Sequence, residues 1–411
     1  MYYYLVQNMK AASFLPDLPF PSAEEAAPRL FLLERAPEQG PAVFRATHAN
    51  QLTAESVDVS LLDPQRMAPA PELPESVQSA LESGTLTAVN LRHPRWQDAL
   101  NLTVPKSKKK RVHLLAVGDV GGTLLTALKL LGGDCISTIG ICDLNANTVA
   151  RWTAEMGQIA WPWNYDALPQ VEAVTSEHLF DCDVFIFAAT KAIPPVGSEI
   201  RDVRMAQFEA NRAMLGTYAQ MARRVGFDGL FCQISDPVDH LAREVFLRSN
   251  RDETGVYDFA GLLPEQVQGF GLGVMAARAA YYAEKESVPS APLRVYGPHG
   301  QGLVVANSAG ADYDEVLSHR LTELTRTANL SVRELGFKPY IAPGLSSAAV
   351  SILRLLRGEA HYGAIALGGA YFGCCSRMTR RGVEICREEI CGPLLDRIEE
   401  THRALREFDY A

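Results

Sequence analysis

Residues 111–143, RVHLLAVGDVGGTLLTALKLLGGDCISTIGICD, constrain the fold most. Val112 to Val117 is an apolar-rich run of strand length, and Gly118, Gly121 and Gly122 follow it directly. Leu124, Leu125, Leu128, Leu130 and Leu131 then recur at helical spacing up to Gly132 and Gly133. Ile139 to Cys142 reads as a second strand, and Asp143 closes it. A strand, a glycine turn, a helix and a second strand form a βαβ unit. Its turn lets backbone N–H groups approach a pyrophosphate at the helix N-terminus. Asp143, 22 residues after Gly121, stands where an acid can accept hydrogen bonds from an adenosine ribose. That acid would repel a 2'-phosphate, so the pattern favours NAD over NADP. The first glycine of the G-x-G-x-x-G pattern falls on Ala116. An ordinary βαβ unit with a glycine turn accounts for the same residues.

From residue 111 onward strand and helix patterns alternate, which predicts a parallel sheet with helices on both faces. Asp183–Ala189 and Gly229–Ser235 are further strands, and helices are expected over Glu199–Arg224 and Asp239–Arg248. After about residue 265 the pattern changes. A helix over 269–285, short strands at Leu293–Tyr296 and Gly302–Ala306 around a GPHG turn, and a helix from Tyr313 to Thr327 follow. Ser346–Leu356 reads as another helix, Ile365–Phe372 and Val383–Cys386 as strands, and Pro393–Phe408 as a closing amphipathic helix. The N-terminal 105 residues differ in composition. Short strands are predicted at Tyr2–Val6, Leu30–Leu33, Ala42–Ala46, Val57–Leu62 and Thr87–Leu91, with a helix at Ser76–Glu82 and a Pro-rich connector at 64–74. The expectation is therefore α/β: an N-terminal α+β module (1–105), a Rossmann-type doubly wound domain (111–265) and an α+β substrate domain (266–411).

A net charge of −9 disfavours bulk attraction to nucleic acid or an anionic membrane. The eight cysteines include no C-x-x-C pair, and no metal-ligand spacing is evident. They read as reduced thiols, and no metal is expected. The start, MYYYLVQNMK, lacks a basic segment followed by a long apolar one, so a cytoplasmic protein is expected. The lone His48 and His93, and the basic run Lys106–Arg111, read as structural or solvated features.

Laid out this way, residues 111–408 resemble the lactate/malate dehydrogenase family. The glycine turn is similar to AVGDVGG and the ribose acid to Asp143; the strand before the active-site loop is similar to Phe185–Ala189. The loop that carries an Arg seven residues before an Asn looks like PPVGSEIRDVRMAQFEAN, which gives Arg204 and Asn211, with Arg201 as a rival one turn away. Asn-Pro-Val-Asp is matched by Asp236-Pro237-Val238-Asp239. The helix with a catalytic Asp and a substrate Arg three residues on looks like GFGLGVMAARA, which gives Met275 and Arg278. Gly-x-His-Gly gives His299, and GLSSAAV resembles the segment that gives Ser346.

The resemblance implies NAD as cofactor, held by Gly118, Val120, Gly121, Asp143 and Ala189. It implies a 2-oxo or 2-hydroxy acid as small-molecule substrate and a homo-oligomer, dimer or tetramer. His299 would be the acid/base and Arg278 the bidentate partner of the substrate carboxylate. Arg204 would polarise the reacting oxygen, and Asn211 and Ser346 would be secondary contacts. Two positions depart. Met275 replaces the acid that should orient His299, and Asp236 stands where the family has Asn. The paired loss and gain suggest that Asp236 takes over part of the orienting task; capping the helix that follows Pro237 is the other use of an Asp there. The loop TKAIPPVG lacks an Arg for a second carboxylate, which argues against malate, although Lys191 could supply a charge. A non-catalytic NAD-binding sensor or assembly protein on the same fold is the other reading.

Overall fold

A computed structural model describes residues 1–53, 58–65, 71–101, 109–191 and 203–410, the side chains of 203–206 excepted. The first five strands are β1 (Tyr2–Val6), β2 (Met9–Ser13), β3 (Leu30–Leu33), β4 (Val43–Arg45) and β5 (Thr87–Asn90), with helices α1 (Glu75–Glu82) and α2 (Trp96–Asn101). The strand expected at Val57–Leu62 is instead a 3₁₀ turn over Val59–Leu62, where the Asp58 carboxylate accepts from the Ser60 N–H. A short acid-capped segment is satisfied locally and needs no ladder partner.

The next six strands are β6 (Lys110–Leu115), β7 (Ile136–Cys142), β8 (Gln170–Ala173), β9 (Val184–Phe187), β10 (Leu230–Gln233) and β11 (Val267–Gly269). They are parallel and lie in the order β8-β7-β6-β9-β10-β11, the doubly wound arrangement in which the strand order reverses between β6 and β9. Helices α3 (Asp119–Leu131), α4 (Ala146–Gly157), α5 (Val203–Arg224) and α6 (Val238–Ser249) connect them. Side chains alternate across the sheet as the pleat requires. Val184 and Ile186 pack with Leu124, Leu125 and Leu128 of α3, whereas Phe185, Phe187 and Phe231 pack with Phe208 and Leu215 of α5 and Leu241 and Val245 of α6. Both faces are covered, which is why these strands read as continuous apolar runs.

Helix α7 (Leu272–Lys285) begins three residues after β11, so the glycine-containing stretch from 269 splits into a strand end and a helix start. The ribbon of β12 (Arg294–Tyr296) and β13 (Val304–Ala306), helix α8 (Glu315–Glu334), a π-helical segment over Pro343–Val350 and α9 (Ser351–Leu356) follow. Strands β14 (His361–Leu367), β15 (Ala370–Thr379) and β16 (Gly382–Ile385) form an antiparallel meander, and α10 (Gly392–Arg406) ends the chain. The single strand expected over 365–372 is two strands. Gly368 and Gly369, at φ +57° and +78°, turn the chain in the middle of that apolar run.

The meander joins everything into one sheet. β14 pairs antiparallel with β11, and β16 meets β4 through Val383 and Phe44. The described strands thus form a continuous fourteen-stranded sheet, with β12 and β13 apart. The N-terminal residues are further tied in by Glu265, fully buried, which accepts the Ala42 and Val43 N–H groups at 3.1 and 3.2 Å. Arg45 also pairs with Glu384 at 2.6 Å. Among the described residues no helix is long and apolar enough to cross a membrane.

Candidate active site at the carboxyl ends of the parallel strands

The loops that matter leave the carboxyl ends of β6, β9 and β10, beside the reversal point where open α/β sheets place ligands. After β6 the chain turns through Ala116, at φ +72°, and caps α3 with Gly118. Gly121 could not carry a Cβ, which would lie 2.0 Å from the Ala116 carbonyl oxygen, so helix and strand meet through that glycine. Gly118 is exposed, and a Cβ there would touch nothing within 4 Å, leaving open space above the helix N-terminus. Val120 is half-buried beside it. Asp143 follows β7 directly and reaches back. Its Oδ2 accepts from the Val117 N–H at 3.0 Å and its Oδ1 from the Asn145 N–H at 3.0 Å. Ala189, after β9, offers its carbonyl to the Ser235 hydroxyl at 2.7 Å.

Ala116 occupies a left-handed conformation that costs an L-residue about 1–2 kcal/mol. Glycine would relieve that strain and give back part of the gain through the entropy of the unfolded chain. Ala116→Gly is therefore expected to raise stability by about 0.5–1 kcal/mol, read as a rise of about 0.5–1 °C in Tm by calorimetry. A fall in Tm would show that the alanine methyl makes a contact worth more than the strain.

His299 lies in the turn after β12. Its Nδ1 is 2.8 Å from the main-chain carbonyl of Gly271, just before α7, and its backbone N–H donates to Asp239 Oδ2 at 3.1 Å. The helix end is tight against it, because a Cβ on Gly271 would sit 2.6 Å from the Cβ of His299. The same Gly271 carbonyl accepts the Ser347 hydroxyl at 2.7 Å, and that hydroxyl accepts the Val274 N–H at 2.8 Å. A carbonyl only accepts, so Nδ1 carries the proton and Nε2 faces outward.

Asp236 was expected to orient this ring. The structure gives that position to the Gly271 carbonyl and sets Asp236 on the opposite side, its Oδ1 3.8 Å from Nε2, ion-pair range but beyond a direct hydrogen bond. The physical reason is reach. Asp236 leaves the carboxyl end of β10, on the open side of the imidazole, whereas the start of α7 lies behind it. The buried acid beneath His299 is Asp239 instead. It is fully enclosed, and burial pushes its carboxyl up to about 7.

Arg278 projects from α7 and is half-buried. Burial pulls its guanidinium below the usual arginine range, while the charges of Tyr282 and Asp236 act the other way. Its described polar contact is a long one to Met275 Sδ at 3.9 Å. Asp236 is the element shared by the two halves, acting on both His299 and Arg278.

Asn211 is fully buried, and both ends of its amide are engaged. Nδ2 donates to the Asp236 carbonyl at 3.0 Å, and Oδ1 accepts the Lys191 N–H at 2.9 Å. It braces the two loops rather than facing the cleft. Ser346 is half-buried, and its carbonyl accepts the Ser351 hydroxyl at 3.3 Å. Its neighbour Ser347 makes the contact to Gly271. Arg201 and the loop from 192 lie outside the described residues, as does the Arg204 side chain, whose backbone is in the first turn of α5. Sequence reasoning missed Gly271, Ser347 and Asp239. Asp239 carried a signal, as an acid on the buried face of an apolar helix.

Among the described residues no group of three or more His, Cys, Asp or Glu side chains is placed to hold a metal ion, and the eight cysteines are free.

No family model matches the chain. It is 25% identical over 238 residues to the L-lactate dehydrogenase of Corynebacterium jeikeium, a match spanning 57% of this chain and 67% of that protein. Its fold is that of the malate dehydrogenase from Archaeoglobus fulgidus, solved in complex with NADH: TM-score 0.60, 16% identity, covering 72% of this chain and 97% of the other. The minor L-lactate dehydrogenase from Enterococcus mundtii, solved in a ligands-bound form, gives TM-score 0.58 at 18% identity over 73% of this chain and 97% of its own. The chain is thus similar in sequence to a lactate dehydrogenase, and it shares the fold of the lactate and malate dehydrogenases.

Proposed function

We propose that the protein is an NAD-dependent oxidoreductase that interconverts a 2-hydroxy acid and a 2-oxo acid. The observation that carries this reading is the outward-facing Nε2 of His299. Its proton is fixed on Nδ1 by the Gly271 carbonyl, and it shares the Asp236 neighbourhood with the half-buried Arg278. The residues at the glycine turn fit a dinucleotide. Gly118 leaves open space at the α3 N-terminus, Gly121 holds the helix close to β6, and Asp143 follows β7 at ribose distance in sequence. Asp143 keeps lone pairs beyond the two N–H groups it accepts, so a ribose hydroxyl can still be held. The cofactor would supply the hydride acceptor; the chain supplies the rest.

Arg278 would fix the substrate carboxylate with a planar pair of donors. Nε2 of His299 would take the hydroxyl proton, and the Gly271 carbonyl would hold the ring while it is charged. Arg204 would polarise the reacting oxygen from the loop. Absence of an arginine in TKAIPPVG favours a monocarboxylic acid over malate.

The test is NADH oxidation against a panel of 2-oxo acids, with His299→Ala alongside. Loss of about 10²–10⁴ in kcat is expected in that variant. Unchanged turnover would remove His299 from the reaction. A second reading, a non-catalytic NAD-binding protein, is favoured by Met275, which brings no carboxylate to the imidazole. NADH binding with no turnover on any acid would select it.

A further inference from the structure

The cleft holds more acceptors than a hydroxy acid can serve. The Gly271 carbonyl keeps a proton on His299 Nδ1, so the neutral ring turns an acceptor outward at Nε2. The Asp236 carboxylate lies 3.8 Å from that nitrogen, about half-exposed, and also accepts. Arg278 supplies the positive charge and only donates. Gly271, Met275 and Arg278 fall four and three residues apart, on one face of α7 and its lead-in. The Arg278 Cα is about 10 Å along the axis from Gly271, and a helical side chain leans back toward the N-terminus, here the His299 end.

One cation next to two acceptors complements an anion that carries an adjacent donor with several protons. We propose that this cleft binds 2-amino acids as zwitterions, with the carboxylate on Arg278 and the ammonium shared between Asp236 and Nε2 of His299, more tightly than the 2-hydroxy acid of the same side chain. A nitrogen about 2.9 Å from both acceptors closes an ordinary triangle over the 3.8 Å base. A hydroxyl has one proton and serves one acceptor, so its oxygen lone pairs are left against the Asp236 carboxylate. A 2-oxo oxygen has none and meets the same repulsion. Asparagine, which the resemblance to the family implies at this position, carries an N–H₂ that can meet such an oxygen; aspartate does not. The proposal rests on Arg278 taking the carboxylate, as in the reading above, and it names a different ligand class for the same cleft.

The test is calorimetric titration of the full-length chain, with and without NADH. The probes are matched pairs: alanine and lactate, leucine and 2-hydroxy-4-methylpentanoate, phenylalanine and phenyllactate. The amino acid should bind about tenfold more tightly, or better, in at least one pair. Asp236→Asn should cut that ratio about tenfold, through loss of amino-acid affinity while the hydroxy acid holds or gains. The Asp236 side chain is exposed enough for the variant to fold, with Asp236→Ser as a second version. The proposal is overturned if no amino acid binds, if hydroxy acids bind as tightly in every pair, or if the ratio ignores both variants. The two readings fail separately. Turnover of 2-oxo acids without amino-acid binding removes this one alone, and amino-acid binding without any turnover removes the dehydrogenase reading alone.

Discussion

Alanine at position 278 should lower kcat/KM for the substrate acid by about 10²–10³, and most of the loss should appear in KM. Arg278 is half-buried, and its described polar neighbour, Met275 Sδ at 3.9 Å, gives it almost nothing. Burying a guanidinium so weakly served costs energy that a bound carboxylate can return. Removing the charge takes away a contact made equally in the ground state and the transition state, which is why KM should move more than kcat. Arg278→Lys keeps the charge but not the planar pair of donors, so it should fall between the two. Stopped-flow or steady-state NADH oxidation on the best acid of the panel measures all three proteins. A KM indifferent to both substitutions would mean that the acid binds elsewhere.

Which parts of this site could be read from the sequence follows from how far apart its members lie. The β6–α3–β7 unit is written in 33 consecutive residues, and each signal is local: an apolar run, glycines, leucines at helical spacing, an acid. The GPHG turn is equally local. By contrast, Gly271, His299 and Ser347 meet at one carbonyl from three separate segments, and nothing in the sequence marks a carbonyl as an orienting group. Once Met275 removed the usual acid, Asp236 was the nearest carboxylate in the pattern; which side of the imidazole it occupies depends on how the end of β10 meets the start of α7. Edge positions hid other elements. β8 carries Gln170 and Glu172 and is only partly buried at the rim of the sheet, so it shows no apolar run. The β14–β15 pair erred the other way, because an apolar stretch with Gly368–Gly369 inside it reads as one strand until its turn is seen.

The N-terminal residues contribute through the backbone rather than through chemistry. Four of their five strands were visible as short apolar runs, but β2 (Met9–Ser13) was not, and neither was their partner. β4 meets β16, more than three hundred residues later, and Glu265 receives two N–H groups from Ala42 and Val43. A single carboxylate that satisfies two buried donors links these residues to the strand order that builds the cleft.

Two enclosed acids should then make stability depend on pH in a way that variants expose. Asp239 and Glu265 are fully buried, and burial pushes each carboxyl up to about 7. In the unfolded chain they titrate near 4. Between those values the folded protein holds protons that the unfolded chain has lost, so their contribution is complete below about pH 4 and is lost as pH rises through 7. Four buried histidines, His93, His113, His361 and His402, work in the opposite sense, because burial lowers each of them. Burial lowers His93 and His361 to about 4, so their neutral forms favour the fold above about pH 6.5 and cost stability as pH falls through 4. The wild-type curve therefore mixes both senses, and the acids are isolated by the difference between variant and wild type. Asp239→Asn keeps an acceptor for the His299 N–H but cannot ionise. Measured against wild type by urea unfolding, it should gain about 1.4 kcal/mol per pH unit between about pH 4 and 7, a total of ~4 kcal/mol, and level off above pH 7. Glu265→Gln should show the same slope with a constant offset, because it leaves one of two N–H groups facing an amide donor. A difference from wild type that stays constant from pH 4 to 8 in both variants would mean that neither acid is held neutral by the fold.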